Sequence, residues 1–400
     1  MDMDTAQVSV SELNPPARLL LGPGPSMVHP RVLRAMSTPL IGHLDPAFLA
    51  IMNEVQAQLR AVFRTENPFT IAVSGTGSAG MEAALVNLLE PGDTAVVGVA
   101  GVFGERMADI VERCGAKLVR IDAPWGQVID RAQIAEALER TPSVKLVALV
   151  HAETSTGAEQ PLDGVGRLCH ERGALLVVDA VTSLGGVPVD VDGWEVDACY
   201  AGTQKCLSCP PGLAPLTFSP RALAAIQARR TRPQSWYLDC RMIADYWAEG
   251  RRVYHHTAPI SMIYALREAL RLVLEEGLER RFARHRTMSA ALLAGLATLG
   301  CTPQAQEGRR LSSLNCVTVP AGLDEAGIRK ALLSEFGIEI GGGLGPLAGK
   351  VWRVGLMGES ARLENVLALL SALELVLSRQ HRVERLGSAA AAALQAFTTA

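Results

Sequence analysis

Between residues 70 and 201 the chain alternates short runs of consecutive apolar residues with longer stretches whose apolar positions recur every three or four residues. The apolar runs 70–73, 95–99, 117–121, 144–150, 175–178 and 198–201 predict β-strands. The periodic stretches 80–89, 105–114, 130–140 and 162–171 predict helices. Strands that are apolar without interruption are buried on both faces. Their alternation with helices therefore predicts an α/β fold, a mostly parallel central sheet covered by helices. Ligands of such sheets collect beyond the carboxyl ends of the strands.

After about Pro259 the pattern changes. A long helical stretch is predicted over 261–278, continuing into 282–299, with Glu275, Glu276, Glu279, Arg280 and Arg281 expected on a solvated face. Then follow a strand over 315–319, a helix over 324–335, a strand over 352–355 and a helix over 363–377. This is a smaller α+β unit. The alanine-rich stretch 389–393 reads as a short helix or as disorder. The implied organisation is an N-terminal arm (1–22), a large domain (23–275), a small C-terminal domain (276–385) and a tail (386–400).

With 400 residues the chain is long enough for two domains with substantial cores. A hydrophobic content of 48% and a charged content of 20% fit a globular enzyme. The net charge of −3 argues against a nucleic-acid or anionic-membrane partner. The eight cysteines are scattered, with Cys199 and Cys316 inside apolar runs, which favours free thiols in a reducing compartment. Cys206 and Cys209 form a lone C-x-x-C without a second pair, so no metal site is expected, and packing beside Lys205 is favoured over a redox role. Residues 1–14 lack the basic and apolar regions of a signal peptide. No apolar run reaches the roughly 18 residues of a membrane span, and the last three residues are no peroxisomal address. Cytoplasm is the expected location.

Several predicted strands end in loops with chemical potential. Gly75-Thr76-Gly77-Ser78-Ala79-Gly80 follows a strand and opens a helix, matching the dinucleotide fingerprint G-x-G-x-x-G. That fingerprint wants an acidic residue at the end of the next strand. Here the next strand ends in Val99-Ala100-Gly101, so a nicotinamide dehydrogenase is disfavoured. A phosphate cradle fits better, with helix-start N–H groups and the Thr76 and Ser78 hydroxyls as donors. Phe103, between Gly101 and Gly104, is placed to lie on a flat cofactor. The hydroxyls of 154–156 are placed to meet a ring substituent. Taken singly, each stretch reads equally well as an ordinary turn or core segment. Asp179 ends the apolar run 175–178, and Lys205 follows about 26 residues later in Gly202-Thr203-Gln204-Lys205. A carboxylate and an amine at neighbouring strand ends are what pyridoxal 5'-phosphate (PLP) chemistry needs. The amine forms the Schiff base, and the carboxylate keeps the pyridine nitrogen protonated.

Together these stretches resemble a fold-type I PLP enzyme of the class V aminotransferase group. The resemblance runs from Leu21-Gly22-Pro23-Gly24-Pro25-Ser26 to Arg353-Val354-Gly355-Leu356-Met357-Gly358. It includes Gly42-His43, Ser74-Gly75-Thr76-Gly77, Ser155-Thr156-Gly157, Tyr254-His255-His256-Thr257, Gly342-Gly343-Leu344-Gly345-Pro346 and Gly349-Lys350. The chain looks most like the alanine–glyoxylate (serine–pyruvate) aminotransferases and the nearby ureidoglycine–glyoxylate aminotransferases.

The resemblance implies that Lys205 is the Schiff-base lysine and proton shuttle, and that Asp179 pairs with the pyridine nitrogen. It implies that Thr154 reaches the ring hydroxyl, that Phe103 stacks on the ring where the animal enzymes carry Trp, and that Thr76, Gly77, Ser78 and Gln204 hold the phosphate. Tyr254 and Thr257 are expected to reach the phosphate of a partner subunit, which makes a homodimer with shared sites. Arg353 is expected to clamp the substrate carboxylate through its guanidinium fork, with Gly24, His43 and Tyr254 also facing substrate.

The ureidoglycine branch carries amides, Gln and Asn, where this chain has His43 and Tyr254. Losing paired amides removes a match to a ureido group. The expected reaction is therefore ping-pong transfer from alanine or serine to glyoxylate or pyruvate, with (S)-ureidoglycine as the alternative donor. A lyase such as a cysteine desulfurase is a remote alternative. It wants a mobile cysteine before the C-terminal strand, and Cys301 and Cys316 lie in no such loop. A relative without catalysis is disfavoured by the presence of Lys205, Asp179 and Arg353 together.

Overall fold

The computed structural model describes residues 12–248, 250, 252–379 and 385–399. The first half of the expected N-terminal arm (1–11), residues 380–384 near the end of the expected small domain, and Ala400 lie outside the described residues. The predicted apolar runs form strands β1 (Phe69–Ser74), β2 (Thr94–Val99), β3 (Lys117–Asp122), β4 (Val144–Val150), β5 (Leu175–Asp179) and β6 (Ala198–Tyr200). A further strand, β7 (Leu213–Phe218), completes a seven-stranded sheet in the order β1-β7-β6-β5-β4-β2-β3.

The sequence pattern did not disclose β7. Its run contains Pro215, which lacks a ladder N–H and argues against a central strand. The strand nevertheless sits inside the sheet, and the Pro215 carbonyl accepts from the Ala201 N–H. β7 runs antiparallel to both neighbours, and all other pairings are parallel. Because β7 reverses direction, the carboxyl ends of β1, β5 and β6 lie on one edge. Ser74 pairs with Leu213 there, and Asp179 pairs with Tyr200 and Val150. That edge holds the loops singled out above.

Helix α1 (Gly77–Leu88) starts directly after β1, and α2 (Val102–Arg113) directly after β2. Gly80 lets α1 lie close against the sheet. A Cβ there would be 3.0 Å from the Ala214 Cβ and 3.2 Å from the Tyr200 Cβ.

The long C-terminal helical stretch is two helices, α3 (Ile260–Glu276) and α4 (Leu278–Thr298), divided at Gly277 with φ of 83°. A left-handed φ breaks the helical hydrogen-bond ladder, and glycine accepts it without steric cost. The charge cluster at this joint is only in part the solvated face the pattern implied. Arg281 is buried and donates to the Gly185 carbonyl at 2.8 Å and the Cys206 carbonyl at 2.6 Å. Its guanidinium also pairs with Glu276 at 2.6 Å, and Arg284 meets the same carboxylate at 2.6 Å. Glu275, Glu279 and Arg280 are the members that stay exposed. Periodicity alone cannot distinguish a solvated charge from one that docks against another part of the chain.

The smaller unit holds strands β8 (Leu314–Thr318), β9 (Gly341–Gly342) and β10 (Val351–Gly355), antiparallel in the order β8-β10-β9. A helix over Glu325–Phe336 and helix α5 (Leu363–Ser378) pack with them around Leu296, Val317, Trp352, Leu369 and Leu373. Leu19 and Leu20 pair in parallel with Ile338 and Glu339, and Leu21 belongs to this second core. The end of the expected arm is thus stitched into the small unit. The alanine-rich tail is helical from Ser388 to Thr399, with Ala389 and Ala393 buried. Glu374 accepts from the N–H groups of Gly387 and Ala389 at its start. Among the described residues no helix is long and apolar enough to cross a membrane, and no cluster of ligating side chains suits a metal ion.

Candidate active site

Asp179 ends β5 and is buried. One carboxylate oxygen accepts the Val181 N–H at 2.8 Å, and the other accepts the Tyr200 hydroxyl at 2.9 Å. Burial nonetheless pushes the carboxyl up to about 7, against these two bonds and the nearby Lys205 amine. Among the described residues no cation stands at contact distance from this carboxylate. A protonated pyridine nitrogen is the partner that such a carboxylate fits. Tyr200 was not singled out from sequence. The only available signal was the register of β6 beside β5, which sequence does not print.

Lys205 follows β6 and lines a cavity of about 110 Å³ together with Asp179, Thr76, Gly77, Ser78, Phe103 and Gln204. The lysine predicted for the Schiff base thus shares one cavity with Asp179 and Phe103 and with Thr76, Gly77, Ser78 and Gln204, predicted for the phosphate. The Lys205 Nζ donates to the Pro23 carbonyl. Burial draws its pKa down to about 8. Gly24 has φ of 112°, and a Cβ there would stand 2.7 Å from the Lys205 Nζ. A side chain at this position would take the space that the lysine occupies. Ser26 holds the backbone of the lysine loop, with its hydroxyl donating to the Lys205 carbonyl at 2.8 Å and its N–H to the Gln204 carbonyl at 2.9 Å.

Thr76 is the N-cap of α1, yet its hydroxyl caps no helical N–H. The first N–H groups of α1 and the positive end of its dipole face this region. The Gln204 amide oxygen is buried without a partner. Turned about its χ3, the same amide presents an N–H₂ donor there instead. Unfilled donors at a helix start suit an acceptor-rich dianion. Arg106 adds a charge that the sequence reading did not name. It lies one helical turn beyond Phe103, reaches the Ser78 hydroxyl at 3.2 Å and sits 5.1 Å above the Phe103 ring. Its spacing of three residues on α2 was the signal available. Phe103 itself stands in the first turn of α2, half-buried.

Arg353 on β10 is buried, and burial lowers its pKa. Its Nε donates to the Gly342 carbonyl at 2.7 Å, and one terminal nitrogen to the Thr154 carbonyl at 3.3 Å. The small unit thereby meets the loop after β4. The Thr154 hydroxyl shares a 2.6 Å hydrogen bond with that of Thr182. Thr154 and Arg353 are not part of the lining of the Lys205 cavity, although Arg353 is near enough to lower the Lys205 pKa.

His43, Tyr254 and Thr257 also lie outside that lining. The structure brings His43 and Tyr254 together, with ring centroids 5.3 Å apart. Tyr254 and Thr257 are exposed. Their loop is anchored by His256, which meets the Ser74 hydroxyl at 2.8 Å, and by His255, which stacks on Trp236 at 4.7 Å. All eight cysteines are free and buried, including Cys206 and Cys209.

Comparison with known proteins agrees with this arrangement. The family model described as aminotransferase class-V matches residues 19–354. A solved structure from Nostoc sp., an alanine–glyoxylate aminotransferase, is 52% identical, with a TM-score of 0.92 over 94% of this chain and 99% of that one. The ureidoglycine–glyoxylate aminotransferase of Bacillus subtilis is 46% identical, with a TM-score of 0.95 over 97% of this chain and all of that one. The alanine–glyoxylate aminotransferase of Callithrix jacchus is 44% identical over 90% of this chain and 88% of that protein. Likeness to a cysteine desulfurase, at 16% identity, concerns the fold alone. With a matching sheet, a matching family model and a lysine–aspartate pair in one buried cavity, the chain belongs to the class V aminotransferases, PLP-dependent enzymes of fold-type I.

Proposed function

We propose that this enzyme moves the amino group of a small amino acid, alanine or serine, to glyoxylate or pyruvate by a ping-pong mechanism. The observation that carries the reading is the convergence of the Lys205 amine and the Asp179 carboxyl on one small cavity, with the Arg353 guanidinium close by. Bound PLP supplies an electron sink for the charge that develops at the substrate Cα.

The protein's own groups do the rest. Asp179 keeps the pyridine nitrogen protonated. The Lys205 Nζ takes the proton from the substrate Cα and returns it. A pKa near 8 leaves an appreciable share of that amine neutral and able to accept a proton. Thr76, Gly77, Ser78 and Gln204 would hold the phosphate, Phe103 would cover the ring and Thr154 would meet its hydroxyl. Arg353 fixes the substrate carboxylate, which orients the Cα–H bond toward Lys205.

The exposed Tyr254 and Thr257 support a homodimer in which each subunit offers these side chains to the other's phosphate site. Two separate buried cores support division into a large domain (23–275) and a small one (276–385). Eight free thiols support a reducing, cytoplasmic location.

A second reading, transfer from (S)-ureidoglycine, is favoured by the likeness to the B. subtilis enzyme. Against it stand His43 and Tyr254, which lack the paired donors and acceptors of two amides. Absorption spectroscopy and donor turnover decide. The holoenzyme is expected to show a band near ~420 nm that moves toward ~330 nm on adding L-alanine. Turnover fastest with ureidoglycine would instead select the second reading.

A further inference from the structure

A second cavity, of about 200 Å³, opens between the strand end at His151 and the segment 308–310. It shares no lining residue with the Lys205 cavity. The His151 side chain is only 3% exposed. Among the described residues neither of its ring nitrogens has a hydrogen-bond partner. Nδ1 is buried without one, and Nε2 is 4.0 Å from the nearest Glu159 oxygen. That separation is too long for a hydrogen bond. Burial lowers the ring's pKa to about 4, so at neutral pH it offers one N–H and one lone pair. A buried imidazole left this way is destabilising unless something else completes it.

The walls carry both signs of charge. Glu159 and Asp163 supply carboxylates, and Arg309 and Arg310 supply guanidinium groups. The side chains of Asp163, Arg309 and Arg310 make no ion pair or hydrogen bond among the described residues. Burial raises the Glu159 pKa, against the pull of Arg286 and Arg309. Trp194 stands edge-on to His151 with ring centroids 5.0 Å apart.

A simple anion in this space would be repelled by two carboxylates, and a simple cation by the arginines. A zwitterion meets both sets. Its carboxylate suits Arg309 and Arg310, and its ammonium suits Glu159 and a lone pair of His151. The volume admits a molecule of only a few heavy atoms.

We propose that this cavity is a second binding site for a small α-amino acid zwitterion, held between Arg309 and Arg310 on one side and Glu159 and His151 on the other. The site also adjoins the reacting centre through the backbone. The His151 N–H donates to the Asp179 carbonyl at 2.9 Å, and the Gln160 N–H donates to the His151 carbonyl at 2.8 Å. Occupancy therefore bears on the strand end that presents Asp179. The proposal stands whichever amino donor the enzyme prefers.

The test uses holoenzyme whose cofactor has been reduced onto Lys205 with borohydride, so that amino acids cannot react there. Glycine, L-alanine and L-serine are titrated while tryptophan emission is followed. A saturable change is expected, absent in Trp194→Phe. Affinity is expected to fall about tenfold or more in the exposed-residue variant Arg309→Ala/Arg310→Ala and in Glu159→Gln, as loss of charged hydrogen bonds requires. Acetate and methylamine, each carrying half of the zwitterion, are expected to bind at least about tenfold more weakly than glycine. The signal should persist in Arg353→Lys. Acetate binding as tightly as glycine would make the cavity an anion site and overturn the proposal. So would a signal lost in Arg353→Lys but kept in the double arginine variant, because it would report the Lys205 cavity. No saturable change with any of the three amino acids would leave the cavity to water and end the proposal.

Discussion

The Tyr200 hydroxyl donates to the Asp179 carboxylate over 2.9 Å, from a strand position registered directly beside it. Both side chains are buried, and burial, followed by the nearby Asp179 carboxylate, raises the Tyr200 pKa well above the usual range and keeps its hydroxyl protonated. Tyr200 is thus a fixed donor. With the Val181 N–H it aims the carboxylate along the sheet edge toward the cavity that Lys205 lines.

Replacing Tyr200 with Phe removes a bond to the ionised carboxylate, so the Asp179 pKa rises and its hold on a protonated pyridine nitrogen weakens. The expected result is a fall in kcat and a rise in the cofactor Kd, each on the order of tenfold, the usual worth of a hydrogen bond to a charged group. Steady-state kinetics and cofactor fluorescence titration measure the two. Asp179→Asn, which removes the charge itself, is expected to cost on the order of 10²–10³ in kcat.

The Lys205 amine must be neutral to attack the cofactor aldehyde. With a pKa of about 8, the neutral fraction rises as pH increases through 8 and is nearly complete above 9. An ordinary lysine, near 10.4, would still be mostly charged there. The rate of cofactor uptake by apoenzyme is expected to climb with pH and level off near that point. Stopped-flow absorbance follows it, and a rate still climbing beyond pH 10 would contradict the lowered pKa. Lys205→Ala is expected to fold but to show neither the ~420 nm band nor turnover.

Arg353→Lys keeps a positive charge but loses the planar fork. It also loses the Nε donation to the Gly342 carbonyl that steers the guanidinium. KM for both amino donor and oxo acid is expected to rise, with kcat/KM falling roughly tenfold to a hundredfold. A variant that lowered kcat alone would place Arg353 away from the carboxylate.

His43 and Tyr254 touch each other and act as a pair, so their substitutions are expected to be non-additive. The double variant His43→Gln/Tyr254→Asn is expected to raise ureidoglycine turnover relative to alanine. Comparing both single variants with the double one measures the coupling.

At the joint between α3 and α4, Arg281 and Arg284 pull the Glu276 pKa down to about 2 despite its partial burial. A depressed carboxylate contributes stability above its unfolded value, near 4.3, and loses that contribution as pH falls toward 2. Thermal melts between pH 5 and pH 3 are expected to show a steep loss that flattens in Glu276→Gln. At neutral pH, Arg281→Met is expected to cost about 1–3 kcal/mol for each buried carbonyl it leaves without a donor, those of Gly185 and Cys206, while Glu276 keeps Arg284. It should also loosen the loop at Cys206, next to Lys205.

Much of the fold was legible along the chain, since buried parallel strands announce themselves as unbroken apolar runs. Six of the seven sheet strands followed from that rule. The seventh did not, because Pro215 carries the signature of a strand edge while tertiary packing seats it in the interior. The tail showed the opposite limit. Alanine content alone left helix and disorder open, and the caps from Glu374 decided for the helix.

The candidate site divides along the same line. Asp179, Lys205, Phe103 and the Thr76–Ser78 loop were visible because strand ends point ligand chemistry toward one edge, and strand ends can be read from sequence. Tyr200, Arg106 and the buried role of Arg281 were not, because each acts through a neighbour far away in the chain or on another element. What the sequence by itself determined is the set of reactive groups and the order in which the sheet edge presents them, since both follow from local pattern and residue chemistry. What only the tertiary structure decided is which donors meet Asp179, what space Gly24 leaves for Lys205 and how Arg353 reaches across from the small unit. Those depend on strand register and on the docking of distant elements, which periodicity does not encode.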